Sequence, residues 1–105
     1  MATLYISEYR FIAYVPLNGA YTQAPGQAPQ EPALVEQTVG ITGSSTQSAP
    51  FNVYTALVRV HCDAVCSVAF GTNPVAATNM KRLAANQTEY FGVTPGQQLA
   101  VIQNV

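Results

Sequence analysis

Apolar and polar positions alternate with period two over much of this chain, and no sustained apolar stripe recurs at helical spacing. Residues 3–6 (Thr-Leu-Tyr-Ile) and 11–15 (Phe-Ile-Ala-Tyr-Val) are β-branched and aromatic runs that read as one interrupted strand or two short ones. From residue 34 the alternation is plainer. Val35, Gln37, Val39 and Ile41 share one face of an extended chain, and Glu36 and Thr38 share the other. Further on, Val58, Val60 and Cys62 alternate with Arg59 and His61, and Cys66, Val68 and Phe70 alternate with Ser67 and Ala69. A two-residue turn at 63–64 would set Cys62 opposite Val65. A three-residue turn at 63–65 pairs 62 with 66, 60 with 68 and 58 with 70, which gathers all six apolar side chains on one face. Burial favours this second hairpin. A short strand is expected within 80–83, and 89–93 with 98–102 reads as a closing hairpin. Its turn is Thr94-Pro95-Gly96-Gln97, where Pro and Gly suit the two central positions of a type II turn.

Between these runs the chain changes character. Pro16, Gly19, Pro25, Gly26, Pro29 and Pro32 fall among Gln, Ala and Asn, with a lone Glu31. Repeated prolines remove backbone donors, so residues 16–33 cannot form a central strand and read as a loop or as an extended arm ordered against a neighbour. Residues 43–50 are a turn-rich connector, and 75–88 form a long connection. The expectation is an all-β chain: a single β-sandwich or jelly-roll-like domain of six or seven strands. Residues 1–33 would supply the N-terminal strand or strands and the Pro/Gly/Gln-rich arm or loop, and residues 34–105 the sandwich core.

Composition sharpens this picture in one respect. Apolar residues make up an ordinary 49% of the 105, but charged residues only 9%, against about 25% in typical domains. A folded monomer of 11.2 kDa exposes roughly 5,700 Å². To cover that surface there are Glu8, Arg10, Glu31, Glu36, Arg59, Asp63, Lys81, Arg82 and Glu89. So few charges protect poorly against association, and interface cores are depleted in charge, so occupation by partners is the economical explanation. The net charge of −1 and the scattering of the four basic residues argue against nucleic acid as partner. No apolar stretch approaches the ~18–20 residues of a membrane span. The first ten residues lack the basic start and long apolar centre of a signal peptide, so cytoplasmic synthesis is expected. Asn86-Gln87-Thr88 matches a glycosylation acceptor, which without a secretory signal is read as chance.

The inventory also argues against an enzyme. The single histidine, His61, alternates outward beside Arg59, and the five carboxylates lie in separate segments without the spacing of a paired acid and base. Ser44, Ser45 and Ser48 lack a nucleophile-elbow pattern, and no glycine-rich phosphate loop occurs. Cys62 and Cys66 with one nearby His make a weak metal signal, since structural zinc takes four N/S ligands at tighter spacing. Cross-strand geometry would permit a disulfide, but cytoplasmic synthesis favours two reduced, buried thiols. No catalytic, cofactor-binding or metal-ligating residue is therefore assigned. A carbohydrate-binding sandwich needs exposed aromatics on one face; Tyr5, Tyr9, Tyr14 and Tyr21 are available but show no regular face.

The run from Val58 to Pro74 (VRVHCDAVCSVAFGTNP), then residues 80–83, and Glu89 to Ile102 (EYFGVTPGQQLAVI), resembles small structural proteins of tailed bacteriophages and prophages. The similarity spans residues 35–103 and is a pattern of strands and turns, so it carries no functional residue with it. It implies a virion component with a β-sandwich, foremost a capsid cement or decoration protein. Such a protein would bind the major capsid protein and neighbouring copies of itself as a dimer or trimer. A tail, neck or fibre component is the alternative within the virion.

Overall fold

A computed structural model describes residues 2–16 and 23–104 of the chain. Ten strands follow in order: β1 (Ala2–Tyr9), β2 (Ile12–Pro16), β3 (Gln23–Pro29), β4 (Val35–Ile41), β5 (Thr46–Gln47), β6 (Leu57–Cys62), β7 (Cys66–Gly71), β8 (Arg82–Leu83), β9 (Thr88–Gly92) and β10 (Gln98–Gln103). No helix occurs among the described residues, and so none long and apolar enough to cross a membrane. The strands form two antiparallel four-stranded sheets, ordered β4-β1-β6-β9 and β5-β10-β7-β8, and a separate two-stranded ribbon, β2-β3. Side chains of both four-stranded sheets meet in one apolar core, a sandwich-like arrangement.

The expected faces are present. On β4, Val39 and Ile41 are buried, Val35 and Gln37 half-buried, and Glu36 and Thr38 exposed. Val58, Val60, Cys62, Cys66 and Val68 all lie in the core with Leu4, Ile6, Leu99 and Val101, and Phe70 packs against them. The expected hairpins are not. β6 is bonded to β1 and β9 in the first sheet, whereas β7 is bonded to β10 and β8 in the second. Residues 63–65 thus carry the chain from one sheet to the other, and the six apolar side chains face one another across the core, not side by side. Period two reports which face is buried; it is silent on whether the neighbour is beside or opposite.

The same correction applies to β9 and β10, which also belong to opposite sheets. Their turn is as expected: Gly96 has φ 82°, and the Gln97 amide donates to the Thr94 carbonyl at 3.2 Å. Phe91 of β9 and Phe70 of β7 then meet between the sheets, ring centroids 4.9 Å apart and tilted by 52°.

Three further findings differ from expectation. First, β1 lies inside the first sheet, between β4 and β6, and its Leu4 and Ile6 are core residues, although they fall in the segment 1–33 set apart from the sandwich in the sequence. Second, residues 23–29 pair with β2 despite their prolines. In a ribbon of two strands every strand has a free edge, so Pro25 and Pro29 need donate to no second neighbour. The remainder of the expected arm or loop, 17–22, lies outside the described residues. Third, Ser67 is not outward to solvent but fully buried. Asn104 donates from Nδ2 to its hydroxyl at 2.7 Å and to the Thr78 carbonyl at 3.0 Å. With Pro74 and Ala76 also buried, the connection after β7 covers part of the outer face of the second sheet.

Candidate interaction surface

Titratable side chains offer little reactive chemistry. Cys62 and Cys66 are free and wholly buried, and the Cys62 thiol donates to the Ala84 carbonyl at 2.9 Å. Burial, reinforced by the neighbouring Cys62, pushes the Cys66 thiol up to about 12 from its ordinary 9.0. It is therefore a neutral thiol and not a nucleophile. His61 is half-buried on the outer face of the first sheet, its Nδ1 2.8 Å from the Thr88 hydroxyl and its ring beside Tyr5. Among the described residues no three His, Cys, Asp or Glu side chains gather in a way that could hold a metal ion.

The tyrosines do not form one platform. Tyr5 points outward and is exposed, whereas Tyr9 is buried and its hydroxyl donates to Glu31 Oε2 at 2.8 Å. Burial, then that carboxylate, raises the Tyr9 phenol above its usual value. Tyr21 and the side chain of Tyr14 lie outside the described residues.

Glu8 is the unexpected residue. It sits on the core side of β1, in line with Leu4 and Ile6, and is 0% exposed. Its Oε1 accepts from the Asn52 amide and the Thr55 hydroxyl, both at 2.8 Å, and its Oε2 accepts from Gln37 Nε2 at 2.9 Å. Gln37 Oε1 in turn accepts from the Ala49 amide at 2.9 Å. Three donors satisfy a carboxylate that would otherwise be costly to bury. The cluster ties β1 and β4 to the connector between β5 and β6. Its role is structural.

What the fold leaves open lies where β1 ends. The chain bends at Arg10 and departs from the first sheet into the ribbon, at the level where β6 begins and β9 ends. Leu57, Tyr90 and Gly92 carry the outer face of these strands to this end, and Phe11 and Ile12 rise from the root of the ribbon. With Arg10, Ala56 and Phe91 they line a groove of about 520 Å³. Its walls are mostly apolar and much of them is in contact with water: Phe11 is 50% exposed, Ile12 41% and Tyr90 51%. Gly92 adds to the opening, since a Cβ placed there would meet nothing within 4 Å. The Arg10 guanidinium lies 4.9 Å from the centre of the Phe11 ring and 4.8 Å from that of exposed Tyr54, holding both aromatics at the rim. On its other side Phe11 borders a smaller hollow of about 270 Å³ with Leu34 and Pro32. Exposed apolar side chains gathered in this way mark a binding surface, whereas scattered ones need no explanation.

Sequence reading counts Phe11 as a strand residue and misses the groove, because its walls come from three segments far apart in the chain, residues 10–12, 56–57 and 90–92. The available signal was Arg10-Phe11-Ile12 standing directly before the proline-rich run. Compared with known proteins, the chain matches no family, no curated protein and no solved structure.

Proposed function

We propose that this chain is a non-enzymatic virion structural protein, a capsid cement or decoration protein that binds the major capsid protein lattice and neighbouring copies of itself. The observation that carries the reading is the apolar groove at the end of the first sheet, on a chain with so few charges. Burying apolar area at about 25 cal/mol per Å² gives such a surface its affinity without any reactive group. Cement proteins act by this means: whatever binds the assembled shell and not its dissociated parts stabilises the shell.

The fold is read here as a jelly roll. Leaving aside the ribbon, β1 to β4 and β7 to β8 stay within a sheet and every other connection crosses between the sheets, an order that supports two interleaved Greek keys. Jelly rolls recur in viral shells and in lectins, so this support is analogy of fold. The resemblance of residues 35–103 to phage structural proteins favours the virion. The ribbon β2-β3 is the arm in this reading, and synthesis is in the host cytoplasm.

Incubating the purified chain with empty phage heads, sedimenting them and counting bound copies tests the proposal. Hundreds of copies per particle are expected. A handful would move the protein to the tail or neck, and none on any head would remove the virion reading.

A further inference from the structure

We infer that two copies of this chain associate by exchanging their β2-β3 ribbons, each ribbon lying in the apolar groove of the other copy. This rests on the assembly reading above and names the partner at that groove.

The ribbon is the first observation. Its strands pair with each other and belong to neither four-stranded sheet, and they pack chiefly on one another. An isolated two-stranded hairpin is marginal in water, and open strand edges are templates for another chain. The long dimension of 53 Å against 26 and 22 Å, and a radius of gyration of 15.1 Å against about 13 Å for a compact chain of this length, describe an elongated protomer.

The second observation is chemical. Residues 11–30, twenty in succession, include no charged side chain. Such a segment enters an apolar groove without the cost of desolvating an ion. The other long uncharged runs, 37–58, 64–80 and 90–105, supply strands to the two four-stranded sheets, whereas the ribbon belongs to neither and supplies such a segment without an unrelated partner.

The third is placement. Ile12 opens β2 and Phe11 directly precedes it, both form a wall of the groove, and the groove stands open with the chain's own ribbon in place. A two-fold axis passing beside Phe11 would therefore lay the ribbon of each copy across the groove of the other in one operation, as an isologous interface requires. The area lies at the lower end of what a specific interface needs. Seven residues of β3 span roughly 23 Å, and two strands are about 10 Å wide, so each ribbon covers about 230 Å². Counting both surfaces of both contacts gives ~900 Å², close to the ~1,000 Å² at which specific interfaces begin.

The test uses full-length chains in sedimentation equilibrium without capsids. Gly92→Glu places a charged side chain in the groove at a position open to it. Val15→Glu places a charge in the ribbon. The unaltered chain should dimerise, each variant alone should dissociate at least tenfold more readily, and an equimolar mixture should form a heterodimer through the one unaltered ribbon and the one unaltered groove. A wild-type monomer at all concentrations, undiminished dimerisation of either variant, or no heterodimer would overturn the exchange. Circular dichroism checks that both variants fold. If either does not, hydrogen exchange of the unaltered chain decides: amides of 12–15 must gain protection as concentration rises, and unchanged protection refutes the inference. A monomer that still binds heads would sink the exchange and leave the decoration reading. A ribbon-exchanged dimer that binds none would do the reverse.

Discussion

Replacing Glu8 gives a direct measure of what the buried carboxylate contributes. In Glu8→Ala the Thr55 hydroxyl, in a residue 0% exposed, loses its acceptor, as does the Asn52 amide, and Gln37 Nε2 keeps only its 3.4 Å bond to the Ala49 carbonyl. An orphaned buried donor costs about 1–3 kcal/mol. Thr55 belongs at the upper end; Asn52 and Gln37 border solvent and belong at the lower. With the space left by the lost side chain, the expected loss is about 3–5 kcal/mol, a large share of the ~5–15 kcal/mol typical of a domain. Glu8→Gln should cost less, about 1–2 kcal/mol. Its carbonyl oxygen can accept from both Asn52 and Thr55, but its amide then faces the amide of Gln37. Gln37 cannot turn over without losing the bond from Ala49. Glu36→Ala is the control, an exposed carboxylate on the same sheet that accepts only from Ser7, and should stay within about 0.5 kcal/mol. Urea denaturation followed by tyrosine fluorescence serves, since the chain has six tyrosines and no tryptophan. If Glu8→Ala lost no more than Glu36→Ala, the carboxylate would not be the buried acceptor described.

Two further outcomes follow from the core. Val60→Asp, at 0% exposure, should cost several kcal/mol, and Arg59→Ala less than ~1 kcal/mol; small, equal losses would mean that β6 is turned the other way. Ser67→Ala should cost about 1 kcal/mol by removing the acceptor of Asn104, whereas an outward serine would cost nothing measurable. The third concerns alkaline pH. The Cys66 thiol keeps its proton in the folded chain up to about 12 but releases it near 9.0 when unfolded, so the stability this gives is complete below 9 and is lost as pH rises through that window. The slope reaches at most ~1.4 kcal/mol per pH unit. Urea midpoints from pH 8 to 11 should therefore fall more gently in Cys66→Ala, and parallel curves for the two proteins would show that the fold does not hold the thiol neutral.

The strand faces were legible because burial acts on every second residue wherever a strand has one covered side. Their partners were not. Val58 to Cys62 and Cys66 to Phe70 satisfy burial equally well as a hairpin with a shared face or as two strands facing across a core, and a three-residue link serves both. Local pattern contains no term that separates the two; the partners β1 and β10 that decide it lie about 50 and 35 residues away. Strands of two residues such as β5 are too short to show a period at all. Glu8 was illegible for a different reason. A glutamate next to a tyrosine and an arginine reads as surface, and only Thr55, Asn52 and Gln37, brought together by the fold, make its burial possible.

Glu8 also changes the surface argument that first suggested partners. With one carboxylate inside, eight charged side chains remain for an accessible surface of 6143 Å², one for about 770 Å². The shortage is not spread evenly over the features that invite association. The second sheet ends in strands of two residues, β5 and β8, which give another chain little to pair with, and the connection after β7 covers part of its outer face. The first sheet ends in the longer β4 and β9, of seven and five residues, each with a single charge, Glu36 and Glu89, and neither with a lysine or a proline. Its outer face shows Tyr5 and Tyr90, and at one end lie the groove and the root of the ribbon. A monomer that stayed apart through its Gln, Thr, Asn and Ser alone would gain by protecting both sheets alike. Protection of one sheet only is what the proposed assembly requires of a chain with a single assembly face, and in that proposal the face is the first sheet's.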